Sequence, residues 1–258
     1  MLNWLKGCKN QINITPDTWA CNVLWGGNRL VHKSFSIPGF HGCLLSIPFG
    51  QDQSGGDVYY ITVCGLGVLS KFFILDIAGH GNMASKISKV LQEPLSRLMN
   101  ELDNKSMLNE INKDFLNLKK DGIFATAAAA TYNNMEKSWS YAYAGHPYML
   151  VRKNTTWHEL SDAGENSIPV GILGETEFYQ NKFFLDGNSW ILMFSDALIE
   201  IRDSNNRIIG MKGLIGLLDS IRDNDLPLFF HKLVTKLADA NGGEQFKDDL
   251  TIVLLKQI

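Results

Sequence analysis

Residues 123–144 read IFATAAAATYNNMEKSWSYAYA, and their conformation decides the fold. Taken alone, ATAAAAT at 125–131 favours helix, because alanine is the strongest helix former. Its surroundings point the other way. Gly122 suits the end of an upstream helix, Asn133-Asn134 suits a turn, and WSYAYA at 139–144 alternates with the period of a strand. The stretch is expected to form a hairpin of two strands, Ile123–Tyr132 and Ser138–Ala144.

The flanks extend that pattern. Upstream, Met83, Ile87, Val90, Leu91, Leu95 and Leu98 recur at helical spacing within 82–101, with Asn82 as N-cap and a kink or break at Pro94. A second amphipathic helix is expected over 106–119. From Trp19 to Gly81 short β-branched and aromatic runs read as strands, among them His41–Pro48, Val58–Val63 and Leu69–Ile77. Downstream, Phe183–Leu185 and Trp190–Phe194 flank DGNS, a further hairpin signal. Two helices follow, over 211–222 and 226–240, and Leu250–Leu255 reads as a last strand. Strands and helix pairs are segregated and βαβ alternation is missing, so the class is α+β with antiparallel sheets.

The chain has 258 residues, enough for one large domain with a real core, and 45% of them are hydrophobic. Lys plus Arg is 24 and Asp plus Glu is 27, a net charge of −3 that gives no overall pull toward nucleic acid or anionic lipid. No apolar run reaches membrane-span length, and MLNWLKGCKN lacks the apolar stretch of a signal peptide. Cys8, Cys21, Cys43 and Cys64 form no C-x-x-C pair, which argues against zinc and for reduced thiols. The expectation is a cytoplasmic protein with no nucleic-acid and no membrane partner. Residues 1–17 are read as a lead-in and 18–258 as the domain.

Aspartates mark the tips of the apolar strands. Asp57 follows Ser54-Gly55-Gly56, Asp76 ends FFIL, Asp196 ends ILMFS, and Asp248 and Asp249 precede LTIVLL. Any one of them alone is an ordinary turn residue. Gathered together they would repel, unless divalent cations sat between them, and all-oxygen ligation suits Mg²⁺ or Mn²⁺.

Five segments in order carry a resemblance: SGGDVYYI, FFILDIAGHG, YAYAGHPYMLVR, MFSDALIE and KDDLTIVLL. The chain resembles the bacterial PPM-type serine/threonine phosphatases of the SpoIIE-like branch, relatives of the type 2C protein phosphatases. The likeness runs from about Thr18 onward. It implies a four-layer α/β/β/α sandwich of two antiparallel sheets flanked by helix pairs, with two Mn²⁺ or Mg²⁺ ions at one end. It implies that Asp76 bridges both ions, that Asp57 and the Ile77 carbonyl reach one, and that Asp196 and Asp248 reach the other. Asp249 is the fallback for Asp248. The implied reaction is hydrolysis of phosphoserine or phosphothreonine on a protein by a metal-activated water, with no enzyme nucleophile. The implied substrates are phosphoproteins of bacterial signalling, such as an anti-sigma-factor antagonist in a partner-switching circuit or a response-regulator pathway protein.

The sequence departs from the family pattern at Ala197, where glycine is usual, at Ile77, and at Ala78, where the eukaryotic branch carries a histidine. His146 in AGHP is expected to be structural, bonded to backbone in a tight turn. One competing reading is a catalytically inactive regulator that keeps the fold; the full aspartate set favours an enzyme. Another is a dinucleotide site at GHGNMA, residues 79–84, but no strand ending in an acid follows about 20 residues on.

Overall fold

A computed structural model describes residues 11–13, 22–27, 29–49, 54–64, 67–79, 82–98, 101–118, 122–161, 167–185, 187, 189–203 and 205–258. In chain order the strands are β1 (Gln11–Asn13), β2 (Asn22–Gly27), β3 (Val31–Ile37), β4 (Phe40–Ile47), β5 (Val58–Cys64) and β6 (Leu69–Ile77). Helices α1 (Asn82–Leu98) and α2 (Asn104–Asn117) follow. Next come β7 (Ala125–Asn133), β8 (Ser138–Ala144), β9 (Leu150–Lys153), β10 (Thr156–Glu159), β11 (Asn181–Phe184) and β12 (Trp190–Phe194). Helices α3 (Gly210–Asp219) and α4 (Leu226–Ala240) precede β13 (Leu250–Gln257). Most of the expected lead-in lies outside the described residues.

The strands form two sheets. A seven-stranded sheet runs β1-β3-β4-β13-β12-β9-β10 and a six-stranded sheet runs β11-β8-β7-β6-β5-β2. All pairings are antiparallel except β1 with β3. Three apolar layers hold the sandwich. Phe40, Phe72, Tyr132 and Trp139 fill the space between the sheets. Phe194, Phe229 and Leu233 join the seven-stranded sheet to α3 and α4, while Phe73, Leu91 and Met107 join the six-stranded sheet to α1 and α2. This is the expected α+β four-layer arrangement. No helix among the described residues is long and apolar enough to cross a membrane.

The alanine run is a strand. β7 lies between β6 and β8, so both of its edges are paired. Ala128 and Ala130 face the inter-sheet core, and Ala127 and Ala129 face the helices. A position covered on both faces and bonded on both edges overrides the weak helix preference of alanine. The small side chains let α1 and α2 lie close to the sheet. Lys71 on β6, also buried, donates to the Glu101 carbonyl and to Asn104 Oδ1, which pins the corner between these helices.

Two local expectations need correction. α1 is not broken at Pro94 but continues to Leu98. The proline removes only the bond to the Val90 carbonyl, on a turn whose Val90 side chain is exposed, where water can replace it. DGNS does not close a hairpin, because β11 pairs with β8 while β12 pairs with β13 and β9 in the other sheet. β12 is buried throughout and needs a partner on each side; β11 alternates and sits at an edge. The AGHP segment also changes sheets. It carries the chain from β8 in one sheet to β9 in the other.

Gly145 makes that crossing possible. Its φ is +64°, and a Cβ there would lie 2.6 Å from Pro169 Cγ and 2.9 Å from the Pro169 nitrogen. Gly145→Ala is expected to cost about 2 kcal/mol or more, from the left-handed backbone and the clash together. Urea unfolding would show it; an unchanged midpoint would mean that the loop relaxes freely.

Candidate metal centre

Strand register builds half of the site in each sheet. Val58 pairs with Leu75, so Asp57, one residue earlier, lies across from Asp76. Phe194 pairs with Ile252, and the Ser195 N–H donates to the Thr251 carbonyl at 3.0 Å. That sets Asp196, which opens a single 3-10 turn over Asp196–Leu198, beside the entry to β13, where Asp248 stands. The two halves meet at one end of the sandwich. Asp76 feels the charges of Asp196, Asp248, Asp249 and Glu200, and Asp57 feels those of Asp76 and Asp249.

The electrostatics are those of crowded acids. Burial, and then repulsion from Asp196 and Asp248, push Asp76 up to about 8. Burial, and then Glu200 and Asp248, push Asp196 up to about 6. Asp57 is only 1% exposed, and burial followed by the charge of Asp76 raises it well above the usual carboxylate range. Among the described residues neither of its oxygens has a hydrogen-bond partner. The hydroxyls of Ser195 and Thr251 lie near enough to soften the cost, but Ser195 Oγ donates to the Asp249 carbonyl and accepts the Thr251 N–H. A buried carboxylate with both oxygens unsatisfied is expensive, and a cation is the partner that relieves it. The donor set is all oxygen, as hard divalent ions require. Among the described residues no three His, Cys, Asp or Glu side chains yet enclose a common point, so a cation would have to draw the carboxylates inward by side-chain rotation. On orphaned oxygens, donor type and mutual repulsion, the residues fit such an ion.

Asp248 and Asp249 have different surroundings. Asp249 Oδ1 accepts the Phe49 N–H at 2.7 Å and its Oδ2 accepts the Gly56 N–H at 2.6 Å. Both oxygens are used in tying the approach to β5 against β13. Asp248 Oδ1 accepts the Asp249 N–H at 2.8 Å, and Asp248 is half-buried beside Asp76 and Asp196. Gly56 brings the Ile77 carbonyl close to the same corner: a Cβ on Gly56 would lie 3.0 Å from that oxygen and 3.0 Å from the Ala84 Cβ. His80 and Gly81 lie outside the described residues.

His146 fastens the two halves together. It is buried, its Nδ1 lies 2.7 Å from Thr126 Oγ1, and its Nε2 lies 3.0 Å from the Phe194 carbonyl. Thr126 is the ladder partner of Asp76, and Phe194 is two residues before Asp196. Burial pushes the imidazole down to about 4. The ring is therefore neutral near pH 7. Nε2–H donates to the carbonyl, and Nδ1 accepts from the threonine hydroxyl. His146 is thus structural, as expected, although it bridges the sheets instead of serving one tight turn. Glu200 was missed as a contributor to the site. It ends the quoted segment MFSDALIE, and only the fold brings its charge near Asp76 and Asp196.

A family model described as stage II sporulation protein E matches residues 70–257. No curated protein sequence matches the chain. Among solved structures, the RsbU and RsbW domains of a Mycobacterium tuberculosis protein align with TM-score 0.72 at 20% identity, over 86% of this chain and 62% of that one. The chain thus spans less than two thirds of that protein's length. A Bacillus subtilis structure, the PP2C phosphatase domain and a fragment of the regulatory domain of the cell fate determinant SpoIIE, aligns with TM-score 0.67 at 16% identity, over 88% and 82%. RsbX in complex with magnesium aligns with TM-score 0.65 at 13% identity, over 88% and 100%. At these identities the likeness is one of fold.

Proposed function

The chain belongs to the stage II sporulation protein E family, and on that premise we propose that it is a metal-dependent phosphatase acting on phosphoserine or phosphothreonine of a protein. The domain is placed over 18–258, and the setting is a cytoplasmic partner-switching pathway of bacterial signalling. The observation that carries the reading is the proximity of two strand-end carboxylate pairs, Asp57 with Asp76 and Asp196 with Asp248, with Asp57 buried and without a hydrogen-bond partner among the described residues. A neighbour that joins RsbU and RsbW domains supports the pathway, and one in complex with magnesium supports the cation.

In this reading Asp76 would serve both of two Mn²⁺ or Mg²⁺ ions, Asp57 and the Ile77 carbonyl would hold one, and Asp196 and Asp248 would hold the other. When bound, such a pair lowers the pKa of water and offsets negative charge on the phosphoryl oxygens. The protein fixes the ligands. Asp249 keeps the Gly56–Asp57 corner against β13, so it is a positioning residue in place of a ligand. His146 sets the spacing between the Asp76 strand and the Asp196 turn. Glu200 adds negative potential from the rim, which favours cations over bare phosphate at the entrance.

The test is chelation. EDTA is expected to abolish hydrolysis of p-nitrophenyl phosphate and of a phosphoserine peptide, and excess Mn²⁺ or Mg²⁺ to restore both. Turnover that survives chelation would contradict the carboxylate reading.

A further inference from the structure

A groove of about 430 Å³ borders the carboxylate site at Asp248. Asp248, Glu200 and Ala197 line its inner end, and the C-terminus of α4 with its following loop lines the outer end. This is the size range of a ligand pocket, with room for a long side chain and the backbone that carries it.

The lining has two chemistries. Ile201, Ile208 and Phe246 give it an apolar part. Beyond Asp248, which the proposed reading gives to the metal, Glu200, Asp239 and Glu244 give it an acidic one, and these three enter no ion pair among the described residues. Two cations, Arg202 and Lys247, also line it, fewer than the acids, and Arg202 Nη1 is directed to the Asn206 carbonyl at 3.0 Å. Asp203 in the same wall is already paired with Arg207.

Asp239 is out of place as a helix residue. It lies in the last turn of α4, where backbone carbonyls already concentrate negative charge, and no basic residue in that turn compensates. An acid there works against the helix. Facing the groove, it adds to the carbonyl field and makes this wall attract a cation.

Resting on the hydrolytic reading above, we propose that the groove receives a lysine or arginine side chain of the phosphoprotein, carried beside its phosphorylated serine or threonine. Such side chains lay an aliphatic stem on apolar surface and keep a charged head among acids, which is the pairing the groove offers. The phosphoryl group then sits at the carboxylates while its neighbour anchors along the groove. Substrate choice follows from charge beside the phosphosite.

The experiment uses the full chain with Mn²⁺ and two phosphoserine peptides that differ only in carrying arginines or glutamates on either side of the phosphoserine. The readout is the ratio of their kcat/KM values. The arginine peptide is expected to be hydrolysed at least tenfold more efficiently at low salt, with the ratio shrinking as salt screens the groove. In Asp239→Lys/Glu244→Lys the ratio is expected to fall to one or below. Each ratio is internal to one protein, so partial loss of folded enzyme does not alter it. Equal hydrolysis of both peptides by the unmodified chain overturns the inference alone, as does a ratio that the double variant leaves unchanged. Failure of the unmodified chain to cleave p-nitrophenyl phosphate or either peptide with Mn²⁺ overturns the hydrolytic reading and this inference with it.

Discussion

Asp76→Asn is expected to lower phosphatase turnover by about a thousandfold or more while making the metal-free protein more stable. On the proposed reading the loss follows from removing the carboxylate that would serve both ions, a larger effect than deleting a single electrostatic contact in a preorganised site, which costs about 10²–10³. The gain in stability follows from the surroundings. Asp76 is pushed up to about 8 by burial and by its acidic neighbours, so its charged form is penalised near neutrality. A carboxyl whose folded pKa exceeds its unfolded one binds its proton more tightly when folded. Its cost is absent below about pH 4 and grows as the pH rises through 8. Asp196, raised to about 6, adds a cost of the same sign over a lower window. His146 works in the opposite sense, but only below its unfolded value of 6.5. From pH 6.5 to 8 the EDTA-treated protein is therefore expected to lose several degrees of Tm, and Asp76→Asn to lose much less. Thermal unfolding at the two pH values checks this. A variant less stable than its parent, or a parent whose metal-free stability climbs over that window, would remove the repulsion from the account.

The second large effect is expected at His146. His146→Phe keeps a ring of similar size and deletes both hydrogen bonds, leaving the Phe194 carbonyl buried without its donor. A stranded buried acceptor costs about 1–3 kcal/mol. Turnover should fall by one to two orders of magnitude as the Asp76 strand and the Asp196 turn lose their common spacer, an effect like that of a 1 Å misplacement. His146→Gln, which keeps a donor, should recover part of both. A further signature separates this role from mere packing. The depressed imidazole contributes stability that is present above 6.5 and lost as the pH falls toward about 4, and His146→Phe should flatten that acid limb. Urea unfolding at pH 5 and pH 7 provides the comparison. Unaltered turnover in the phenylalanine variant would show that the bridge is dispensable.

The sequence was most informative where local pattern and burial agree. WILMF and LTIVLL could only be core strands, and an acid at the tip of each was visible at once. β7 needed its context, because alanine says helix and only the flanking glycine, asparagines and alternation say strand. What could not be read was how the strands are shared between sheets. AGHP and DGNS carry good turn chemistry, yet each connection crosses the sandwich, because partners for β9 and β12 are supplied by β13 and by each other, far away in the chain. The same blindness hid the division of labour between Asp248 and Asp249. Adjacent and identical in type, they differ only in which backbone amides reach them, and those belong to Phe49 and Gly56, about two hundred residues earlier.

The order β4-β13-β12 has a consequence for biosynthesis. β13 follows every other strand of its sheet in the chain, yet it fills the slot between two of them. While the polypeptide emerges from a ribosome, β4 and β12 each present a bare ladder edge toward that slot, open to wrong pairing until β13 arrives. Asp248 stands at the entry to β13, so the acids Asp57, Asp76, Asp196 and Asp248 come together only once β13 has docked. On the proposed reading, completion of this sheet and completion of the carboxylate cluster are thus one event.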